Sequence, residues 1–211
     1  RPSMPIEWND FAVFMSAALM LNLTPGNDMM FVLGQSLRGG IRTGVAASLG
    51  IATGALIHLA LVALGVAVIL ARHPAVFDAI RYAGAAYLLW IAYKTVRSGP
   101  LVFATGGASL SAFAAWRDGT LVNLFNPKII VFFFAFLPPF IHPENGSPLL
   151  QLLFLGAIFN IGGTLINVVV ATFSSRASQF FSGNVKIAQG FTLVSAALFL
   201  VLAARMVFDN R

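Results

Sequence analysis

Asp28 is the only ionisable residue between Phe11 and Leu37, and the residues ahead of it, Thr24-Pro25-Gly26-Asn27, interrupt any helix this apolar stretch can form. An acid at the centre of a bilayer costs about 2.5–3.5 kcal/mol to insert, so it needs an offsetting role. Pro25 has no N–H, and its ring clashes with the preceding turn. Gly26 permits backbone angles that other residues reach only at a cost. Together they free carbonyls before the break and amides after it, which is tolerated at membrane depth only where protein or water satisfies them. A second half-helix starting near Asn27-Asp28 presents the positive end of its dipole, where a bound carboxylate can sit. Asp28 itself suits an ammonium group or a proton. The plainer alternative is that Asp28 only caps the half-helix, as Asp and Asn often do.

About one hundred residues later a second interruption, Asn126-Pro127-Lys128, lies in an equally apolar stretch. Lys128 is also costly at membrane depth and needs a partner or a path to water. Three readings are open for it: an ion pair with Asp28 in the empty protein, capture of a substrate carboxylate, or snorkelling to the interface. Asn123 and Asn126 bring amides that bond freed backbone and substrate alike. Broken helices at matching places in two halves of a chain mark the binding site of a transporter. The expected substrate-binding set is therefore Thr24, Pro25, Gly26, Asn27, Asp28, Asn123, Asn126, Pro127 and Lys128. Asn22, His58, Asn160 and Asn167 are candidates to line a pore, although a satisfied structural role is the simpler reading for an isolated polar residue in a span.

Composition sets the medium. The 211 residues are 58% hydrophobic and 9% charged, with 13 Lys and Arg against 7 Asp and Glu, and the mean hydropathy is +0.86. Soluble domains carry about a quarter charged residues, so this is an integral membrane protein with the lipid bilayer as its main partner. A nucleic-acid binder would gather its basic residues on one face. Here they stand singly or in pairs between apolar runs, as loop anchors do, and no nucleic-acid partner is expected. Cysteine is absent, which excludes disulfides, thiolate metal sites and thiol redox chemistry. The start of the chain lacks the charged region and small-residue cleavage site of a signal peptide. Arg1-Pro2-Ser3 ahead of Met4 reads as a cloning remnant.

Six apolar segments can be drawn, each near the length a spanning helix needs: Phe11–Leu37 broken at Pro25-Gly26, Thr43–Leu70, Pro74–Val96, Gly119–Leu137 broken at Asn126-Pro127 and stopped by Pro138-Pro139, Leu149–Ser175, and Val185–Ala204. Ser98–Ser111 is a Gly/Ser-containing linker at the centre. It separates repeat 1, about 4–97, from repeat 2, about 112–211, within a single transmembrane transporter domain covering 1–211. The halves resemble each other. Asn22-Leu23 precedes Pro25 as Asn123-Leu124 precedes Pro127. Gly54-Ala-Leu-Ile-His58 matches Gly163-Thr-Leu-Ile-Asn167, and Arg81…Gly84 matches Lys186…Gly190, all at offsets of about 101–109. A three-span unit repeated once appears in opposite orientations, giving two inverted three-helix repeats. The Lys/Arg count, seven on one set of loops against four or five on the other, places both termini outside the cytoplasm. Gly50-x-x-x-Gly54 is a close-packing motif, serving either packing within the monomer or a homodimer interface.

Enzyme readings fare poorly. There is no His-Glu-x-x-His zinc motif, and the three histidines are far apart. Gly34-Gln35-Ser36-Leu37 lacks the last glycine of a rhomboid-type site, and no presenilin-like Gly-x-Gly-Asp occurs. Hard divalent cations want several oxygen anions, which one intramembrane acid does not supply. No catalytic residue, metal or cofactor is expected.

These segments resemble the LysE/RhtB family of amino-acid exporters over essentially the whole chain from Trp8. The residues that carry the resemblance are Leu23-Thr24-Pro25-Gly26-Asn27-Asp28, Arg38-Gly39-Gly40-Ile41-Arg42-Thr43-Gly44, Leu49-Gly50-Ile51-Ala52-Thr53-Gly54, Tyr82-Ala83-Gly84-Ala85-Ala86-Tyr87-Leu88, Asn123-Leu124-Phe125-Asn126-Pro127-Lys128 and Phe136-Leu137-Pro138-Pro139-Phe140. The family commonly has Pro-Gly-Pro where this chain has Pro25-Gly26-Asn27, which implies a softer break and altered pore contacts. The resemblance implies a bacterial inner-membrane protein of about six spans that exports amino acids or close derivatives, driven by protons. The competing classes are an exporter of another small solute or cation, and a membrane enzyme.

Overall fold

The computed structural model describes residues 6–72, 74–97, 109–174, 176 and 185–208. Most of the 98–111 linker, residues 98–108, and Arg1-Pro2-Ser3 lie outside these. The described residues are almost all helical, with no strand among them. In chain order they form α1 (Trp8–Leu23), α2 (Asn27–Arg72), α3 (Pro74–Arg97), α4 (Ala112–Leu124), α5 (Pro127–Val131), α6 (Pro148–Thr172) and α7 (Val185–Phe208). A π-helical turn, Phe132–Phe136, and two short 3₁₀ turns, Pro138–Phe140 and Pro143–Asn145, join α5 to α6.

Both motifs interrupt their helices where proline dictates. Thr24 and Asn126 each precede a proline and each leave the helical region, with ψ of 117° and 108°, because the proline ring excludes the α conformation one residue upstream. The second interruption bends its helix pair by 54°. The π turn follows from Pro138-Pro139, whose missing N–H groups end the regular ladder. Leu137 then closes the turn by donating to the Phe132 carbonyl at 2.8 Å.

Two expected boundaries shift. No loop separates the first and second segments. α2 runs through Arg38-Gly39-Gly40 with one non-helical residue, Gly40, at φ 77° and ψ −179°. A corner this tight folds the arm of residues 27–39 back onto the arm of residues 41–72. Gly44 then lies against Ser36, and Val32 shares a core cluster with Ala47 and Ile51. The fourth segment begins at Ala112 rather than Gly119, because Ser111 accepts the Ala114 N–H as an N-cap at 3.2 Å. That signal is stronger than the polar Arg117-Asp118 pair, which is accommodated on the helix surface.

Among the described residues, Asn27–Gly65 and Pro148–Thr172 are long and apolar enough to cross a membrane, and Ala112–Leu124 with Pro127–Phe140 qualifies as one bent span. That makes two or three crossings by length and composition, against the six segments drawn from sequence. α1 has 16 residues, short of the roughly 20 a straight crossing needs. α3 carries Asp78, Arg81, Lys94 and Arg97 in its sequence.

Packing places α2 between α4 and α6, and α3 against α7. Small residues set the approach. Gly50 lies under the Trp116 carbonyl with no room for a side chain, and a Cβ on Gly54 would stand 2.8 Å from Asn123 Cβ and 2.9 Å from the Thr120 carbonyl. The Gly50-x-x-x-Gly54 face is thus covered by α4 of the same chain, which settles its use as intramolecular packing. Thr120 adds a hydroxyl 3.0 Å from the Gly50 carbonyl. A phenylalanine cluster joins α1, the π turn and α6: the Phe132 and Phe159 rings stack at 3.7 Å, and Phe14 packs within 5.5–6.4 Å of Phe132, Phe136 and Phe140.

The glycines differ in what they tolerate. Gly40 occupies a region that only glycine enters cheaply, so Gly40→Ala should destabilise the protein by about 1–3 kcal/mol. Gly65 is helical with nothing within 4 Å of where a Cβ would stand, so it should accept alanine or gain from it. Gly54→Ala should cost about 1–3 kcal/mol as overpacking against backbone. Gly163→Ala, where the nearest atoms belong to the Asn22 side-chain amide at 2.8–3.5 Å, should cost clearly less. Thermal unfolding followed by tryptophan fluorescence in nanodiscs ranks all four, and a reversed order within either pair would contradict the packing described.

Candidate functional site

Each proline leaves one carbonyl without an intrahelical donor, the carbonyl four residues upstream. For Pro25 it is Leu21, and for Pro127 it is Asn123. Side chains from elsewhere in the chain meet both. Lys128 Nζ donates to the Leu21 carbonyl at 3.2 Å and lies 3.4 Å from the Thr24 carbonyl. The Asn123 carbonyl receives the Asn126 N–H at 3.0 Å, and His58 Nε2 lies 3.4 Å from it. A carbonyl only accepts, so that contact places the imidazole proton on Nε2. The two breaks therefore interlock, and residues from both halves of the chain meet between them.

Asp28 stands in the first turn of α2, where its charge complements the helix dipole. Its carboxylate does not cap the helix amides. Oδ2 instead accepts from the Asn123 side-chain amide at 2.9 Å, 95 residues away in sequence. Because Nδ2 of Asn123 faces a carboxylate, its Oδ1 is the free acceptor. Asn126 uses Oδ1 to cap the Lys128 N–H at 3.1 Å, which leaves Nδ2 as a donor. Asp28, Asn123, Asn126 and His58 are all more than nine-tenths buried. Asp28 Oδ1, Asn123 Oδ1, His58 Nδ1 and Asn126 Nδ2 have no hydrogen-bond partner in the protein. A buried polar atom left unpaired costs about 1–3 kcal/mol, so four of them around one junction call for a ligand or water. The His58 ring also stacks on Phe133 at 6.0 Å and meets the edge of Phe134 at 6.2 Å, giving the cluster an aromatic wall.

The sequence-derived residues divide accordingly. Asp28, Asn123, Asn126, Lys128 and His58 come together at the crossing of the breaks. Thr24 is buried beside them, its hydroxyl held by the Met20 carbonyl at 2.6 Å. Pro25, Gly26 and Pro127 contribute backbone geometry. Asn27, next to Asp28, is exposed. Lys128 is on carbonyls rather than on Asp28, so the two charges form no direct ion pair. Asn22 donates to the Phe159 carbonyl at 3.1 Å and Asn160 to the Ala52 carbonyl at 3.2 Å, so both tie helices together. Asn167 is buried on α6.

Sequence reading missed two polar sites. Gln35 is buried on α2 with Oε1 unpartnered. At the other end of the molecule His142 Nε2 meets Asp10 Oδ2 at 2.7 Å and Nδ1 meets Glu144 Oε1 at 3.3 Å. Fully buried Gln151 bonds both the N–H and the carbonyl of His142 at 2.8 Å. A glutamine within an apolar helix was the available signal in both cases.

Comparison with known proteins identifies the family. A family model, LysE type translocator, matches residues 19–210. The homoserine/homoserine lactone efflux protein of Salmonella typhimurium is 31% identical over 181 residues, 85% of this chain and 86% of the relative. An uncharacterized membrane protein of Pseudomonas aeruginosa is 29% identical over 204 residues, 93% of this chain and 94% of the relative. The leucine efflux protein of Klebsiella pneumoniae is 29% identical over 145 residues, 66% of each chain. No solved structure matches. A signature that spans nearly the whole chain, including both interrupted helices, decides the matter: this protein belongs to the LysE type translocator family.

Proposed function

We propose that this protein exports amino acids or close derivatives from the bacterial cytoplasm across the inner membrane, as a secondary transporter coupled to protons. The substrate lies between the two broken helices. The observation that carries this reading is the set of unpartnered atoms at their junction. Asp28 Oδ1, Asn123 Oδ1 and His58 Nδ1 are acceptors, and Asn126 Nδ2 is a donor. An ammonium group satisfies the first set and a carboxylate the second, which is the pairing a zwitterion brings. Relatives named for homoserine and leucine efflux support the class and supply the first two substrates to try. The Phe133 and Phe134 rings beside His58 favour a small or apolar side chain.

The architecture behind this proposal is six spans in two inverted three-helix repeats, with both termini outside the cytoplasm. Its support is a pair of matching contacts. Asn123 packs on Gly54, and Asn22 packs on Gly163, each with Oδ1 2.8 Å from where a Cβ would stand. These are the residues that the internal sequence match places in register. A two-fold relation between the halves exchanges the two contacts. Under it, α2 against α6 and α3 against α7 are each pairs of equivalent helices. Alternating access then moves one repeat against the other along glycine-lined surfaces, Gly50 and Gly54 on α2 and Gly162 and Gly163 on α6.

Asp28→Asn tests the site. Asparagine keeps the size and a hydrogen bond to Asn123 while removing the charge, so the variant should fold. Counterflow of labelled leucine or homoserine in proteoliposomes should fall about 10–100-fold, the equivalent of losing one hydrogen bond to a charged group, about 1.5–3 kcal/mol. Flux equal to wild type would remove Asp28 from the binding site.

A further inference from the structure

The end of α1 is built as a cation site, and the chain fills it itself. Three features make the cradle. Pro25 deprives the Leu21 carbonyl of its intrahelical donor. Thr24, extended at φ −67° and ψ 117°, swings its own carbonyl out of the ladder. Gly26 has no side chain, and a Cβ there would press on Lys128 Nζ at 3.1 Å. The cradle sits at the C-terminal end of α1, where the helix dipole places about half a negative charge. Unwound carbonyls at such half-helix ends are where transporters with broken helices coordinate a coupling cation. Here the Lys128 ammonium, carried in from the first turn of α5, stands 3.2 Å from the Leu21 carbonyl and 3.4 Å from that of Thr24. Asp28 bonds Asn123 rather than Lys128, so the hydrogen bonds of the ammonium go to carbonyls, and the Asp28 charge acts on it only through space.

We infer that Lys128 is a tethered replacement for a coupling metal cation: its ammonium occupies the place that the broken α1 offers a cation, and the protein neither needs nor binds sodium at this position. The same contact joins the two halves, because the cradle belongs to α1 and the cation to α5. Separation of the breaks during transport must expose the carbonyls or carry the ammonium with them. This inference concerns the same junction as the proposed export activity, but it is tested by binding alone, so it stands or falls separately from that reading.

The test is thermal unfolding in nanodiscs with sodium chloride, or with choline chloride at equal ionic strength. Wild type should melt at the same temperature in both. Lys128→Ala should melt lower in choline and recover, saturably, with sodium or with ethylammonium, which returns an ammonium to the vacated space. Lys128→Met refills the volume without charge and should stay destabilised and indifferent to either cation. Should Lys128→Ala fail to accumulate, Lys128→Gln takes its place in the same measurement. Accumulation in sodium but not in choline counts as support. Sodium-specific stabilisation of wild type overturns the inference, as does an alanine or glutamine variant that is as stable as wild type or blind to both cations. A loss of leucine or homoserine counterflow in wild type would instead bear on the transport reading and leave this one intact.

Discussion

In a hydrocarbon medium no backbone group can be left to solvent, and this chain contains two prolines in the middle of apolar helices. Each removes the donor for one carbonyl, and at membrane depth that carbonyl must find a partner inside the protein. The partners are Lys128 for Leu21, and for Asn123 the Asn126 N–H together with His58. The two side chains come from outside the helix they mend. Local damage to one helix is thus repaired by a side chain of another, and the repair brings 21–28, His58 and 123–128 to one place. The site is a consequence of satisfying the breaks.

The remaining contacts keep those partners in reach. α4 approaches α2 closely enough for Asn123 to reach Asp28 only because Gly50 and Gly54 offer no side chains to that face. α1 is set against α6 in the corresponding way, through Asn22 over Gly163 and its bond to the Phe159 carbonyl. The stacked Phe132 and Phe159 rings then fix the π turn that follows α5, and with it the position from which Lys128 extends. Large aromatic area secures the elements, while glycine sets their separation.

Much of this was legible in the sequence, for reasons that differ by feature. The breaks were readable because proline acts on its own backbone regardless of context. The Asn–Gly register between halves was readable because a repeated contact needs a repeated pair of residues. Gly40 was not read as a corner, since a glycine pair between apolar runs looks the same whether it forms a loop or a single hinge residue. The start of α4 was missed because hydropathy marked Arg117-Asp118 as an end, whereas Ser111 and helix propensity carry the helix past it. The partner of Lys128 was not readable either. Charge left Asp28, a substrate carboxylate and the interface all open, and did not show that a carbonyl freed by Pro25 competes for the ammonium while Asn123 competes for the acid. Such a contest between partners is decided by geometry across more than ninety residues, which spacing along a chain does not encode. The tie between His142 and Asp10 belongs to the same class.

The arrangement also bears on why a junction so rich in polar atoms stays assembled. Asp28 and Lys128 share it without pairing, each held by neutral dipoles. Direct pairing would satisfy both charges and leave a zwitterion nothing to gain by entering. Held apart, they leave Asp28 Oδ1 and the Asn126 amide unmet, at about 1–3 kcal/mol for each buried atom. A substrate bringing an ammonium and a carboxylate recovers that energy only when both breaks are in contact, because Asp28 belongs to one and Asn126 to the other. Under the export reading, ligand binding therefore favours the joined state over any state in which the halves have parted. On the same reading, the unmet atoms that would draw the substrate in would make its release require that the junction open, and that coupling between occupancy and conformation is what a transporter needs from its binding site.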